Sequence, residues 1–301
     1  MTVVAIVGPT ASGKSALAMD VAELINGEII GTDSMQAYRG MDIGTASPSE
    51  ADRARVRHRM VDVWDIDRAV TVVEFRDRAR AAIEDVNSRG KVPVVVGGSG
   101  LYVRAVLEEM DFPGTDPNVR GYWESELASK GAPALHALLA ERDPDAAAAI
   151  EPGNGRRIVR ALEVGDITGE PFIAQLPDPV DAYPTLRIGM RIDRSELDQR
   201  ITERVERMWA AGFVDEVRSL TGLAQAPTAS AALGYRPILD FLAGDISEEA
   251  AKQATITDTR RFARRQQRWF ARDERIEWHN HDEPEIANAV AHQWRLASGT
   301  S

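Results

Sequence analysis

The sequence predicts an α/β protein: a P-loop doubly wound parallel sheet core with a helical insertion domain. Three observations predict it. Short, continuous apolar runs recur, as in Val3-Val4-Ala5-Ile6-Val7 and Val92-Pro93-Val94-Val95-Val96, the mark of strands buried on both faces. Segments with helical apolar spacing alternate with these runs, as parallel crossover connections require. A glycine-punctuated loop, Gly8-Pro9-Thr10-Ala11-Ser12-Gly13-Lys14-Ser15, joins the first run to the first helical segment. It matches G-x-x-x-x-G-K-[ST] in the strand–loop–helix context that defines a P-loop.

Each element follows in order. Residues 2–7 form the first strand. Lys14 to about Asn26 is helical through Leu17, Val21, Leu24 and Ile25, and Gly27 stops it. Ile29 to Thr32 is a second short strand and Val61 to Trp64 a third. Thr71 to Ser88 is a helix ending at Gly90; Lys91 to Val96 is a fourth strand, closed by Gly97-Gly98. From Asp111 to about Tyr183 prolines and glycines abound, helical segments such as Trp123 to Lys130 occur, and no buried strand is visible. This reads as a helical insertion, residues 114–183, within a core of 1–113 and 184–301. The apolar run returns at Leu186 to Ile192. Leu197 to Ala211 is a helix stopped by Gly212. Ser247 to Arg272 is a long helix with Ser247 as N-cap and Glu248 and Glu249 in its dipole-favoured first turn. Asn288 to the end carries no readable chemistry, and its last few residues are expected to fray.

Composition narrows the function classes. The chain has 301 residues, with 47 acidic against 36 basic side chains and a formal net charge of −11. No apolar stretch approaches the roughly 18 residues of a membrane span, and the first strand lacks a basic leader and cleavage site. A cytoplasmic protein is expected. Without cysteine there is no disulfide, thiolate metal site or thiol nucleophile. Metal chemistry therefore rests on oxygen or imidazole ligands. His279 and His281 could chelate, but a solvated loop is the simpler reading. The acidic total argues against indiscriminate nucleic-acid binding and leaves local basic patches open.

The P-loop is the strongest site. Its glycines let backbone N–H groups curl round a diphosphate or triphosphate, Lys14 adds a point charge, and the Ser15 hydroxyl can hold Mg²⁺. Asp33, in Asp33-Ser34-Met35-Gln36, follows the second strand and so belongs at the carboxyl rim of the sheet, where an acid can hold magnesium or accept a proton; the alternative is a turn-forming Asp-Ser. Asp62 and Asp65 are weaker candidates for a Walker-B acid. Gly97-Gly98-Ser99-Gly100 points to the same rim. In Arg260 to Arg272 six arginines fall within one sector of about 140°, with Phe262, Trp269 and Phe270 on the other side. An arginine face on an acidic chain favours a phosphate-rich partner over solvent. Arg156-Arg157-Ile158-Val159-Arg160 is a smaller cluster, open between a surface helix and a nucleic-acid contact.

The sequence resembles the bacterial tRNA dimethylallyltransferase (tRNA isopentenyltransferase) family. The P-loop, Asp33 to Gln36, Gly40-Met41-Asp42-Ile43-Gly44-Thr45-Ala46 and Val96 to Tyr102 carry the likeness. So do Arg160-Ala161-Leu162-Glu163-Val164, Ala211 to Val217, Leu233-Gly234-Tyr235-Arg236 and the arginine helix, all in family order from residue 2 to about 272. The resemblance implies transfer of a dimethylallyl group from dimethylallyl diphosphate to N6 of the adenine at tRNA position 37, with Asp33 as general base, Mg²⁺ as cofactor and a diphosphate, not ATP, in the nucleotide-binding loop. It implies tRNA contacts at Asp33, Ser34, Met35, Gln36, Ser99, Arg120, Arg156, Arg157, Arg160, Gly234, Tyr235, Arg236, Arg264, Arg265, Gln266 and Arg268. It further implies the anticodon stem-loop as partner and a monomeric protein. Ser230-Ala231-Ala232 and Pro237 depart from the arginine and glutamine that members often carry around Gly-Tyr-Arg, and Ser99 replaces a threonine. The competing readings are a small-molecule P-loop kinase or NTPase, prenyl transfer to free adenine nucleotide, and an RNA-binding protein with a relict P-loop.

Overall fold

A computed structural model describes residues 2–172 and 178–299. The chain divides into two compact units, residues 1–108 with 181–301, and residues 109–180.

The first unit is built on one sheet of six strands: β1 (Val3–Val7), β2 (Gly27–Gly31), β3 (His58–Arg59), β4 (Val92–Gly97), β5 (Thr185–Arg191) and β6 (Glu277–Asn280), in the order β3-β2-β4-β1-β5-β6. Every pairing is parallel. β1 and β4 are buried along their whole length, because helices cover both faces. One face packs on α1 (Lys14–Leu24) and the late helix α13 (Ile286–Ser298), through Leu17, Val21, Val290 and Trp294. The other packs on α3 (Val72–Ser88) and α4 (Gly100–Leu107), with Phe75, Ile83 and Val106 at its centre. The short α2 (Glu50–Arg55) precedes β3.

Two sequence expectations are corrected. The third strand is His58–Arg59, paired with Ile29 and Ile30. Val61 to Trp64 is apolar because Trp64 is buried beside Phe75, and only a single bridge, Tyr38 to Trp64, forms there. His279 lies in the edge strand β6 and His281 just beyond it. His279 is 3.1 Å from Glu283, and His281 contacts Glu196 at 2.9 Å, so neither sits in a solvated loop. The C-terminal segment is a packed helix up to Ser298; Thr300 and Ser301, expected to fray, lie outside the described residues.

The second unit is helical, with α5 (Pro117–Lys130), α6 (Ala132–Arg142), α7 (Pro144–Ala149) and α8 (Gly155–Thr168). Its own core joins Trp123, Leu135, Leu139, Ile158 and Leu162. Residues 173–177, inside the expected insertion, lie outside the described residues. After β5 the first unit continues through α9 (Arg194–Ala210), α10 (Phe213–Ser219), α11 (Tyr235–Ala243) and α12 (Glu248–Phe270). Ser247 caps α12 by accepting from the Ala250 N–H. No helix is long and apolar enough to cross a membrane among the described residues.

Candidate diphosphate site at the carboxyl edge of the sheet

Parallel strands deliver their carboxyl ends to one edge, and ligands bind there. β1 ends in the P-loop, β2 in Thr32-Asp33 and β4 in Gly98-Ser99. The loops are packed closely. Thr32 donates its hydroxyl and its N–H to the Val96 carbonyl, at 3.0 and 2.8 Å. Any side chain at Gly97 would run into it, since a Cβ there would stand 1.8 Å from Thr32 Oγ1. Gly8 has φ +151°, a backbone that favours glycine, and a Cβ would press on the Met190 carbonyl and Ser12 Oγ at 3.2 Å.

The P-loop wraps the N-terminus of α1, with Gly13 in the left-handed region as its first flank. The N–H groups of this first turn have no helical partner, which suits an anion. Lys14 donates to the Pro9 carbonyl at 3.0 Å, folding its side chain back across the loop. Burial, and next the positive charge of Arg204, lower the Lys14 ammonium to about 8, against the pull of Asp33. Ser15 is exposed at the helix start, with an oxygen donor available. Ser12 Oγ is buried without a hydrogen-bond partner among the described residues.

Arg204, on α9, was not visible as a site residue in the sequence. It is half-buried: burial pushes its guanidinium down from its ordinary value, Asp33 opposes that, and Nη2 reaches the Thr45 carbonyl at 3.4 Å. A guanidinium stays charged at any working pH. Asp33 thus faces two cations. One of its oxygens accepts the Met35 N–H at 3.0 Å, so the turn reading and the site reading hold together: the turn aims the carboxylate. No hydrogen bond among the described residues engages its other oxygen. Gln36 donates to the Thr45 and Ala46 carbonyls, both at 3.1 Å.

The Gly40–Ala46 motif is held by a carboxylate. Glu216 accepts the N–H groups of Asp42, Ile43 and Gly44, at 2.9, 2.6 and 3.1 Å, and the Tyr235 hydroxyl at 2.7 Å. Gly44 lies on Phe213 and Tyr235, where a Cβ would come within 2.2 Å of a ring atom. Three sequence motifs therefore form one knot. Tyr235 is fully buried, and burial with the neighbouring Glu216 raises its phenol far above the ordinary range. Gly234, in the left-handed region, is buried against Phe213 and Thr255. Arg236 is exposed and pairs with Asp240 at 2.9 Å. Pro237 stands in the first turn of α11, where its missing N–H costs no helical bond. Ser230 closes its own turn by donating to Ala226.

The remaining candidates separate by exposure. Ser99 precedes α4 and makes no side-chain cap bond. On α12, Arg265 and Arg268 are exposed, Arg264 stands 3.9 Å from Asp198 on α9, and Gln266 is buried. In the second unit Arg156 and Arg157 are exposed, whereas Arg120 and Arg160 both pair with the buried Glu163, at 3.0 and 2.8 Å. Asp62 is paired with Arg53 and Asp65 with Arg39, at 2.5 and 2.8 Å.

Known proteins are similar to this chain. A family model described as IPP transferase matches residues 36–273. A tRNA dimethylallyltransferase of Salinispora arenicola is 56% identical over 279 residues, covering 92% of this chain and 82% of that one. That of Thermobifida fusca is 55% identical over 294 residues, covering 95% and 92%. The crystal structure of a tRNA isopentenylpyrophosphate transferase from Bacillus halodurans is 35% identical with a TM-score of 0.72, covering 99% of this chain and 96% of that one. Matched by the family model from Gln36 to Asp273 and by such relatives over nearly its whole length, the chain belongs to the IPP transferase family.

Proposed function

We propose that the chain transfers a dimethylallyl group from dimethylallyl diphosphate to N6 of the adenine at tRNA position 37, beside the anticodon. The observation that carries this reading is the meeting of Lys14, Arg204 and Asp33 at the P-loop. Two cations suit a diphosphate leaving group. A carboxylate aimed by the Met35 N–H suits a proton on an amine. In the step, the allylic C–O bond breaks and its electron pair leaves with diphosphate. The N6–carbon bond forms, and the N6 proton passes to Asp33. An exocyclic amine is a weak nucleophile, so a base on its proton contributes about 10²–10⁴ in rate. Lys14, Arg204 and the N–H groups heading α1 offset the charge that grows on the leaving oxygen.

The donor set fits a hard cation. The exposed Ser15 hydroxyl and the Asp33 carboxylate are oxygen donors, and no cluster of three His, Cys, Asp or Glu side chains forms a metal cage among the described residues. Mg²⁺ held by Ser15 and the diphosphate's own oxygens would neutralise leaving-group charge.

For tRNA, the exposed Arg265 and Arg268, with Arg264, would meet phosphates. Ser34, Met35, Gln36 and Ser99 line the rim where the adenine, drawn from its stack, would enter. Arg236 and, in the second unit, Arg156 and Arg157 are further phosphate contacts. The test is incubation with labelled dimethylallyl diphosphate, Mg²⁺ and either bulk tRNA or AMP. Label in N6-isopentenyladenosine from digested tRNA is expected. Label on AMP alone moves the acceptor to a free nucleotide, and turnover of ATP without prenyl transfer supports a kinase instead.

A further inference from the structure

The resemblance placed Gln266 among the tRNA contacts, yet its side chain is only 6% exposed. Both its polar atoms are used inside the chain. The carbonyl oxygen accepts the Thr10 N–H at 2.9 Å, and the amide nitrogen donates to the Gly98 carbonyl at 2.9 Å. Thr10 is the third residue of the P-loop, and Gly98 follows β4. The strands behind them are neighbours, with Val7 opposite Gly97. One amide therefore bridges the two loops that frame the site, and its acceptor and donor ends match the groups they meet. Space has been left for it: a Cβ on Gly98 would stand 2.3 Å from Gln266 Nε2. One turn later Trp269 fills the place where Gly100 has no side chain, 1.9 Å from a Cβ there. Arg265 and Arg268 point the other way, exposed.

We propose that Gln266 is a positioning residue for the diphosphate cradle: it fixes the P-loop against the Gly98–Ser99 loop and ties both to the helix that carries the outer arginines. This rests on the diphosphate reading above. The P-loop N–H groups bind an anion only while they converge, and a loop pinned at Thr10 converges without the ligand having to order it.

Two variants test it, with inorganic diphosphate plus Mg²⁺ as the first probe and tRNA at two salt concentrations as the second. Gln266→Met keeps length and volume and removes both hydrogen bonds. Diphosphate affinity is expected to fall about tenfold, the scale of one to two lost hydrogen bonds, while tRNA affinity and its salt slope stay as in the parent. Gln266→Glu is the sharper probe. Ionised, it repels the Gly98 carbonyl; protonated, it donates to that carbonyl and still accepts from Thr10. A buried carboxyl resists ionisation, so diphosphate affinity should be lost at pH 8 and recover toward the parent's at pH 6. A plain packing role gives no such recovery. If Gln266→Met does not fold, Gln266→Glu alone decides. Variants that bind diphosphate like the parent, or that lose tRNA affinity in place of diphosphate affinity, overturn the inference and leave the proposed function standing. A parent chain that binds no diphosphate overturns both.

Discussion

Two helices carry clustered arginines, and the chain employs them differently. On α8, Arg160 donates to the buried Glu163 at 2.8 Å and to the carbonyls of Pro113 and Gly114 at 2.6 and 3.0 Å. Burial alone would raise Glu163, but hydrogen bonds from Thr115 and Arg160 and the charge of Arg120 hold it below its ordinary range. On α12 and just past its end, Arg265, Arg268 and Arg272 are exposed, and none forms an ion pair among the described residues. Arg260 is tied down, donating to the Asp198 carbonyl and the Thr202 hydroxyl on α9, Arg261 pairs with Asp258 at 3.2 Å, and Arg264 leans toward Asp198. The reason is local. Arg160 has an acid three residues on, on its own helix face. Between Asp258 and Asp273 the sequence has no acid at all. An arginine's neighbours at helical spacing, more than the arginine count, decide whether its charge serves the fold or a ligand.

Lys14 and Arg204 stand between these cases, near Asp33 but not hydrogen-bonded to it. If their charge is held for a ligand, removing either side of the trio should cost rate and not fold. The largest effect is expected for Asp33→Asn: single-turnover prenyl transfer slows by about 10²–10⁴, with tRNA binding retained. An unchanged rate would leave Asp33 a turn residue and place the base elsewhere. Lys14→Ala comes next, lowering turnover by about a hundredfold or more with the thermal midpoint kept. Near-normal turnover at saturating Mg²⁺ would remove the P-loop from the site.

Much of this was legible in the sequence because it is local. A strand, a glycine loop and a lysine at fixed spacing announce a phosphate cradle, and an acid after the next strand must reach the same edge in a parallel sheet. Arg204 was not legible. It sits in Arg200-Ile201-Thr202-Glu203-Arg204-Val205-Glu206-Arg207, a mixed-sign pattern that reads as a solvated helix face. Only the packing of α9 turns that one guanidinium inward. Glu216 was hidden likewise, since three of its four partners are backbone N–H groups from a loop far away in the chain. The resemblance put Tyr235 and Gln266 on the tRNA side. Both side chains are buried, Tyr235 donating to Glu216 and Gln266 bonded to Thr10 and Gly98.

A smaller effect separates ligand-facing from fold-facing charge by pH. Lys14 is protonated below about 8 and loses its proton above it. An anionic ligand favours the charged form. The affinity for dimethylallyl diphosphate is therefore expected to fall as pH rises through 8, approaching tenfold per unit. The sign for stability is opposite. Between about 8 and the ordinary lysine value, the unfolded chain holds a proton that the folded chain has released, so this group makes stability rise with pH. Binding titrations from pH 7 to 9.5 check the first statement. Lys14→Arg should flatten the profile, because a guanidinium stays charged. An equally steep profile in Lys14→Arg would assign the titration to another group.

The smallest effect tests the two arginine clusters directly. Arg265→Ala with Arg268→Ala should weaken tRNA binding and reduce the slope of log affinity against log salt by roughly one to two units, since each phosphate contact contributes about 0.7–0.9. Its thermal midpoint should match the parent's, because neither side chain holds an acid of the fold. Arg160→Ala should do the reverse. It leaves Glu163 with Arg120 and Thr115 but removes a charged hydrogen bond and two carbonyl partners, worth about 1–3 kcal/mol of unfolding free energy. Its salt slope should stay within error of the parent's. A slope reduced equally by both variants would mean that Arg160 exchanges Glu163 for phosphate when tRNA binds, and pairing within the free chain would no longer predict which arginines the nucleic acid uses. Urea denaturation and filter binding at three salt concentrations, run on the same preparations, give both quantities.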